Sequence, residues 1–406
     1  MKTIVGIDWS EKKYCVHIFN EQGAQIARLE VTQSVRGFQQ LAGTLARVNP
    51  SPAECLVAIE TAHDLLVDFL HSQGYTLYIL APSLVHGNRG RQGNSGAKDD
   101  DRDAQLLADI LRTDRGTLIP WQPDGPLLRQ MRTLLSWVDA LTKSLVQQHN
   151  RLRANLLRYY PQALSAFKDL QAKYALHILS RYPTASDLDA LTLAAFSAFC
   201  HKNGYYDAHR HALIWATLCK PAPALEPALL PAYAWQTVSL AESLLRLQAQ
   251  KEDVLAQVHS LFQQHPDAPV FASLPGAGKL LAPSLLVMFG DHRQRYPVRH
   301  LLPTIAGTAP ITVASGKSRS VRFRRACNRQ YRRTAQQFAR SSISQSAWAA
   351  AYFNRALDRG LGKSHAYRCL ANRWLHIIWS LWQKREPYDE AYHLQQVSRH
   401  RRPQRA

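Results

Sequence analysis

The residues of this chain best suited to chemistry are acids. Asp99, Asp100, Asp101 and Asp103 crowd together just ahead of an apolar-periodic run over 105–111. On a helix, Asp100 and Asp103 share a face and can hold one ligand between them. Aspartates also favour helix N-termini, where they cap amides and meet the positive end of the dipole. By itself, then, the knot reads first as a capping device. Two further acids shift the weighing. Asp8 closes the apolar stretch TIVGID and Glu60 closes CLVAIE, each where a buried strand would end. Separately, Asp8 serves as a turn residue and Glu60 as a helix cap. Together with Asp100 and Asp103 they form the set of hard oxygen ligands that a Mg²⁺ site for phosphoryl transfer requires.

These acids need elements to position them. Residues 3–8, 14–20 and 25–31 read as strands separated by polar turns, one of them containing Glu21-Gln22-Gly23, which predicts an antiparallel meander. A helix over 34–48, a buried strand over 55–60, a helix over 62–73 closed by Gly74 and a strand over 76–81 follow. With the helix opened by the acidic knot, the order is β-β-β-α-β-α-β-α. That is a ribonuclease-H-like α/β domain, placed over residues 1–125. The remainder reads as mainly α-helical. Residues 127–159 and 238–262 carry heptad-like stripes, including Leu141, Leu145 and Leu152 in the first and Leu244, Val254 and Val258 in the second. They predict two long amphipathic helices that pair with each other or with a second protomer. These helices and the segment between them make a middle region, 126–265. A C-terminal domain follows over 266–390, then a basic tail over 391–406, irregular from 398 onward. His201, His209 and His211 have no further ligands at metal spacing and are expected at the surface or facing nucleic acid.

Charge narrows the partners. The 406 residues hold 50 Lys and Arg against 30 Asp and Glu, a formal net charge of +20. A surplus of this size favours a polyanion, most often nucleic acid. No apolar run approaches the ~18 residues of a membrane span, and MKTIVGID reaches an acid too early for a signal peptide. The scattered cysteines form no C-x-x-C pair and no zinc spacing, as expected of reduced thiols in a cytoplasmic protein. Residues 292–357 contain no Asp or Glu against thirteen Lys and Arg. Lys317, Arg319, Arg322, Arg324, Arg325, Arg329, Arg332 and Arg333 lie within seventeen positions of that stretch. Such a field neutralises phosphates and makes binding salt-dependent. Upstream, Leu274-Pro275-Gly276-Ala277-Gly278-Lys279 looks like the hairpin of a helix-hairpin-helix, whose glycines let amides approach a phosphate. Ser315-Gly316, on its residues alone, is an ordinary turn.

GIDWS around Asp8, AIETA around Glu60 and K-x-D-x-x-D-A over 98–104 resemble the DEDD transposases and Piv-type DNA invertases. The resemblance implies a RuvC-like N-terminal domain joined to a C-terminal transposase domain. Asp8, Glu60, Asp100 and Asp103 would be the metal ligands, with Asp99 and Asp101 as bystanders that cap the helix or tune its charge. Asp99 replaces the family's usual Thr and so competes for the assignment. Ser315, following Ala309-Pro310, matches the serine that attacks a DNA phosphodiester; Ser318, Ser320 and Tyr331 are competitors. Gly276, Gly278, Lys279, Lys317, Arg319, Arg322, Arg324, Arg325, Asn328 and Arg332 are the expected nucleic-acid contacts. Where members often have Gly-Asn-x-x-Leu-Arg, this chain has Cys327-Asn328-Arg329-Gln330-Tyr331-Arg332, which predicts an altered turn. RYPTASDLDAL resembles part of an insert in longer members, over 161–235 here. The function implied is a Mg²⁺-dependent recombinase of an insertion sequence, acting on element ends and target DNA through a serine–DNA intermediate. A bridge RNA as guide and a dimer or tetramer are implied with it. The alternatives are a RuvC-like Holliday-junction-type nuclease using metal-activated water, and a non-enzymatic RNA- or DNA-binding protein.

Overall fold

Two faces of one sheet organise the N-terminal part. The structure, a computed structural model, describes residues 2–10, 12–62, 64–92, 99–221, 225–316 and 318–400, except the side chains of Arg91, Gln92, Val397, Arg399 and His400. It divides into two compact units, Met1–Pro123 and Asp124–Ala406. In the first, β1 (Thr3–Trp9), β2 (Lys13–Phe19), β3 (Gln25–Thr32), β4 (Cys55–Ile59) and β5 (Thr76–Ile79) form a sheet in the order β3-β2-β1-β4-β5. The first three strands run antiparallel, and β4 and β5 run parallel to β1. β1 and β4 are apolar almost throughout because helices cover both faces, whereas β3, at the edge, is largely exposed.

Helices α1 (Val35–Val48) and α2 (Leu65–Ser72) pack Leu41, Leu45, Leu66 and Leu70 against Val5, Ile7 and Val57 on one face. Helices α3 (Pro82–Asn88) and α4 (Asp100–Asp114) bring Val85, Leu107 and Ile110 to Ile4, Leu56 and Ala58 on the other. The strand and helix order expected from the sequence is present. One element was not expected: α3, started by Pro82 in its first turn.

The second unit begins with α5 (Pro126–Tyr159), then α6 (Pro161–Ala166), α7 (Lys173–Arg181), α8 (Leu193–Lys202), α9 (Ala208–Leu218) and α10 (Leu230–Gln263). α5 and α10 lie antiparallel along each other. Leu128, Met131 and Leu135 share a core with Val258 and Phe262, while Asn155 at the other end donates to Thr237 Oγ1 at 2.8 Å. Of the two expected pairings, the apolar seams are spent within the chain. The helices between them close a separate core around Leu156, Tyr160 and Phe196. His211 corrects the expectation of a surface histidine. It is wholly buried, with Ser197 Oγ 2.6 Å from Nδ1 and the Tyr205 carbonyl 3.1 Å from Nε2.

The remaining elements are α11 (Ala268–Ala272), α12 (Gly278–Phe289), α13 (Leu301–Ile305), β6 (Ile311–Ser315), β7 (Ser318–Arg322), α14 (Arg329–Ser342), α15 (Ala347–Asp358), α16 (Lys363–Lys384) and α17 (Glu390–His400). They surround Phe289, Phe338, Trp374 and Trp382. The expected irregular tail is helical as far as His400. The Glu390 carboxylate accepts from Ser346 Oγ, the Trp348 amide and Tyr388 Oη at 2.7–3.0 Å, tying that helix down. Residues 401–406 lie outside the described residues, as do Lys98 and Lys317. Among the described residues no helix is long and apolar enough to cross a membrane.

Candidate active site

Strand parity brings the acids together. Ile4, Gly6 and Asp8 alternate onto the face of β1 that receives α4, and Leu56 and Ala58 do so in β4, with Glu60 just past its end. Ile7 is paired with Ile59 in the parallel register, so Asp8 and Glu60 leave the same carboxyl edge of the sheet. α4 starts with Asp100 and carries Asp103 in its first turn. The Asp8 carboxyl is pushed up from 3.8 to about 7, chiefly by burial and then by the charges of Asp103, Asp100 and Glu60. All three acids therefore act on Asp8 at close range. An all-carboxylate donor set that keeps one member protonated near neutrality fits a hard divalent cation, which would relieve the repulsion. Asp103 already meets one cation, since Arg89 Nη2 donates to its Oδ2 at 3.0 Å.

The other acids of the knot do different work. Asp99 is the N-cap of α4, its carboxylate accepting from the Asp101 amide at 3.2 Å. Asp101 faces the sheet: its Oδ1 takes His17 Nε2 at 2.8 Å, the Cys15 thiol at 3.2 Å and Arg28 Nε at 2.6 Å. Among the described residues, Cys15, His17 and Asp101 are the trio whose candidate ligand atoms lie within 4.8 Å of one another. Its chemistry does not suit a metal. A guanidinium sits on the shared oxygen, and burial pushes the Cys15 thiol up to about 12, away from the thiolate a soft ion needs.

The serine sits on a separate device. β6 and β7 make an antiparallel hairpin in which Ser315 faces Ser318, with Gly316 at φ +53° in the connection. Ser315, Arg319, Arg322 and Arg325 are exposed. Other expected contacts are engaged internally. Arg324 Nε donates to the Ala309 carbonyl at 3.3 Å, and Arg332 donates to the carbonyls of Arg324 and Arg325. The Asn328 side chain caps α14 by accepting from the Tyr331 amide at 3.1 Å. Gly276 donates its amide to Gln345 Oε1 at 2.9 Å, and a Cβ there would lie 2.6 Å from the Ser341 carbonyl oxygen. A close backbone approach therefore requires glycine at this position. Gly278 and Lys279 remain open at the surface. The turn before Asn328 needs no glycine at Cys327. The left-handed residue is Gly307, where a Cβ would press on Cys327 and Arg332.

Residues 5–161 match a family model for DEDD transposases of the IS110 type, described as transposase, and residues 268–354 match the model for transposases of the IS116/IS110/IS902 family. The mini-circle putative transposase for IS117 of Streptomyces coelicolor is 31% identical over 396 residues, 95% of each chain. The chain belongs to the IS110 family of transposases. An uncharacterized 43.6 kDa protein of insertion element IS110, from the same organism, is 27% identical and covers 70% of both chains. An uncharacterized 42 kDa protein of IS900 from Mycobacterium paratuberculosis is 26% identical over 80% of this chain and 82% of its own. The protein is thus a DNA recombinase, and DNA is its partner.

Two features that seat the acids of this transposase had no signal in spacing alone. Gly6 sits under α4, where a Cβ would overlap the Ala104 carbonyl oxygen and lie 2.7 Å from the Ala108 amide nitrogen. The Asp101 contacts to β2 and β3 fix the turn of helix that carries Asp100 and Asp103. Asp101→Ala is expected to lower DNA cleavage about 10–100-fold through that misplacement, with duplex affinity unchanged. Asp101→Asn, which keeps a side-chain acceptor, should recover part of the rate. Gel-shift and cleavage assays on both variants check this, and wild-type cleavage by Asp101→Ala would remove the positioning role.

Proposed function

We propose that the N-terminal unit is a RuvC-like, ribonuclease-H-like catalytic domain in which Asp8, Glu60, Asp100 and Asp103 hold Mg²⁺. In this reading Ser315 is the nucleophile of DNA strand exchange. The observation that carries the proposal is the convergence of the acids on Asp8, which leaves its carboxyl protonated near neutrality. The sheet order β3-β2-β1-β4-β5, with acids at its carboxyl edge, supports the fold assignment. Mg²⁺ bound there supplies positive charge to the phosphoryl oxygens.

The chain's own residues do the rest. Arg319, Arg322 and Arg325 take up phosphate charge around the hairpin. Ser315 Oγ bonds to phosphorus as the P–O bond to one DNA end breaks, and the serine proton leaves with that end's oxygen. A hydroxyl of the incoming strand then attacks the phosphoserine, restoring a phosphodiester and the free serine. No external energy source is needed, because each bond broken is matched by one formed. The reading divides the chain at 125, 265 and 390 into catalytic, helical, transposase and basic-tail regions. It takes the chain to work as a dimer or tetramer, with a non-coding RNA as guide.

The test combines the protein, Mg²⁺, DNA flanking its gene and RNA transcribed from that flank. A denaturant-resistant protein–DNA adduct is expected, absent from both Ser315→Ala and Asp100→Asn. Cleavage without an adduct, untouched by Ser315→Ala, would leave a nuclease working by activated water. An adduct that persists in Ser315→Ala but not in Ser318→Ala would move the nucleophile across the hairpin.

A further inference from the structure

At the base of the β6–β7 hairpin lies a cavity of about 210 Å³ that no step above uses. Drug-sized pockets run to roughly 300–1,000 Å³, so this one suits a single small ring system. Its walls combine two aromatic rings, Phe323 and Tyr352, with the cations Arg322 and Arg368 and the amide of Asn372. Among the described residues no carboxylate lines it. Cations gathered around a hollow without a counter-charge call for an anionic ligand.

The cavity is also a built feature. Arg332 and Arg368 lie 4.5 and 4.6 Å from the centre of the Phe323 ring, which holds both guanidinium groups at the hairpin base. Arg324 bonds the Ala309 carbonyl, closing one wall onto the segment that leads into β6. Thr308 Oγ1 lies 3.3 Å from both the Pro303 carbonyl oxygen and Asn372 Oδ1, and its one proton serves either. Among the described residues the Asn372 NH₂ has no acceptor. With Arg332 and Arg368 both lying over Phe323, Tyr352 is the ring of the lining left to stack a base. That ring, an amide donor and flanking cations are the elements that receive one unpaired nucleotide: stacking for the base, a hydrogen bond to its edge, charge for its phosphate.

We propose that this cavity binds the base of a single unpaired DNA nucleotide, with Arg322 and Arg368 on the adjoining phosphates. The proposal rests on the strand-exchange reading for its choice of DNA, since exchange leaves bases transiently unpaired. Arg322 pairs with Ile311, four residues along the hairpin from Ser315. That distance, about 14 Å at ~3.4 Å per residue, places the captured base a few nucleotides from the attacked phosphate.

The test uses the full-length Ser315→Ala chain, so that cleavage does not enter, and a DNA duplex with one bulged 2-aminopurine beside the same duplex fully paired. The bulged duplex is expected to bind about tenfold tighter, with the 2-aminopurine fluorescence changed on binding. Asn372→Asp keeps the acceptor for Thr308 but replaces the donor by a charge that repels phosphate. It should erase the preference while affinity for the paired duplex stays within twofold. Tyr352→Leu should do the same, and Asn372→Asp guards against a Tyr352 variant that fails to fold. Equal binding of bulged and paired duplexes, or a preference that survives both substitutions, would overturn the proposal. So would an equal preference for a bulged RNA duplex, which would remove the assignment to DNA. Because none of these readouts needs a nucleophile, the bulge preference stands or falls independently of the adduct experiment.

Discussion

Asp8→Asn is expected to abolish DNA cleavage and, in protein kept free of divalent cations, to raise the melting temperature above pH 7. The two effects have one cause. The folded chain lifts the Asp8 carboxyl from 3.8 to about 7, first by burial and then through Asp103, Asp100 and Glu60. Between those values the native state holds a proton that the unfolded chain has released. Stability from this group is therefore complete below 3.8 and falls as pH rises through about 7. Because the carboxyl is only partly buried, solvent screening limits the effect to about 1–2 kcal/mol. Asparagine removes the buried charge and keeps the shape, so its melting temperature should vary less across that pH range. Added Mg²⁺ should reverse the order at pH 8, stabilising the wild type more than the variant. Thermal melts at pH 5 and pH 8, with and without Mg²⁺, check this. A wild-type melting temperature that rises from pH 5 to pH 8 without cation, in parallel with the variant, would refute the clustered-acid account.

Gly6→Ala should be nearly as damaging to activity, though the residue carries no functional group. The added methyl would occupy the space of the Ala104 carbonyl and the Ala108 amide of α4. Backbone cannot swing aside as a long side chain does, so the helix must move off β1. That face of β1 ends at Asp8, and the helix begins with Asp100 and Asp103, so the carboxylates separate. A displacement near 1 Å is expected to reduce cleavage about 100-fold or more, and overpacking of this kind costs about 1–3 kcal/mol. Weaker Mg²⁺ binding by calorimetry should accompany the lost rate. Normal cleavage by Gly6→Ala would show that α4 tolerates the shift and that the spacing of the acids is not critical.

Much of this transposase was legible before any coordinates. Buried strands announce themselves by local apolar runs, so β1 and β4 and the acids that end them, Asp8 and Glu60, follow from short stretches of chain. The acid-free field over 292–357 is likewise a fact of composition. Partnership is different, because it depends on register and approach between residues far apart. Asp99, Asp100, Asp101 and Asp103 are alike in sequence, and only packing against the sheet makes one a cap, one a clamp to His17 and Arg28, and two the neighbours of Asp8. Gly276, Asn328 and Arg332 lie among residues suited to nucleic acid, yet Gln345, the Tyr331 amide and the Arg324 carbonyl take their hydrogen bonds. The heptad stripes of α5 and α10 specify an apolar seam without naming its partner. The chain itself closes that seam, since the insert between the two helices returns α10 antiparallel along α5. Sequence determines which side chains are available and where strands and helices form. Tertiary structure decides what each group touches, because every donor or acceptor taken by a neighbour is lost to a ligand.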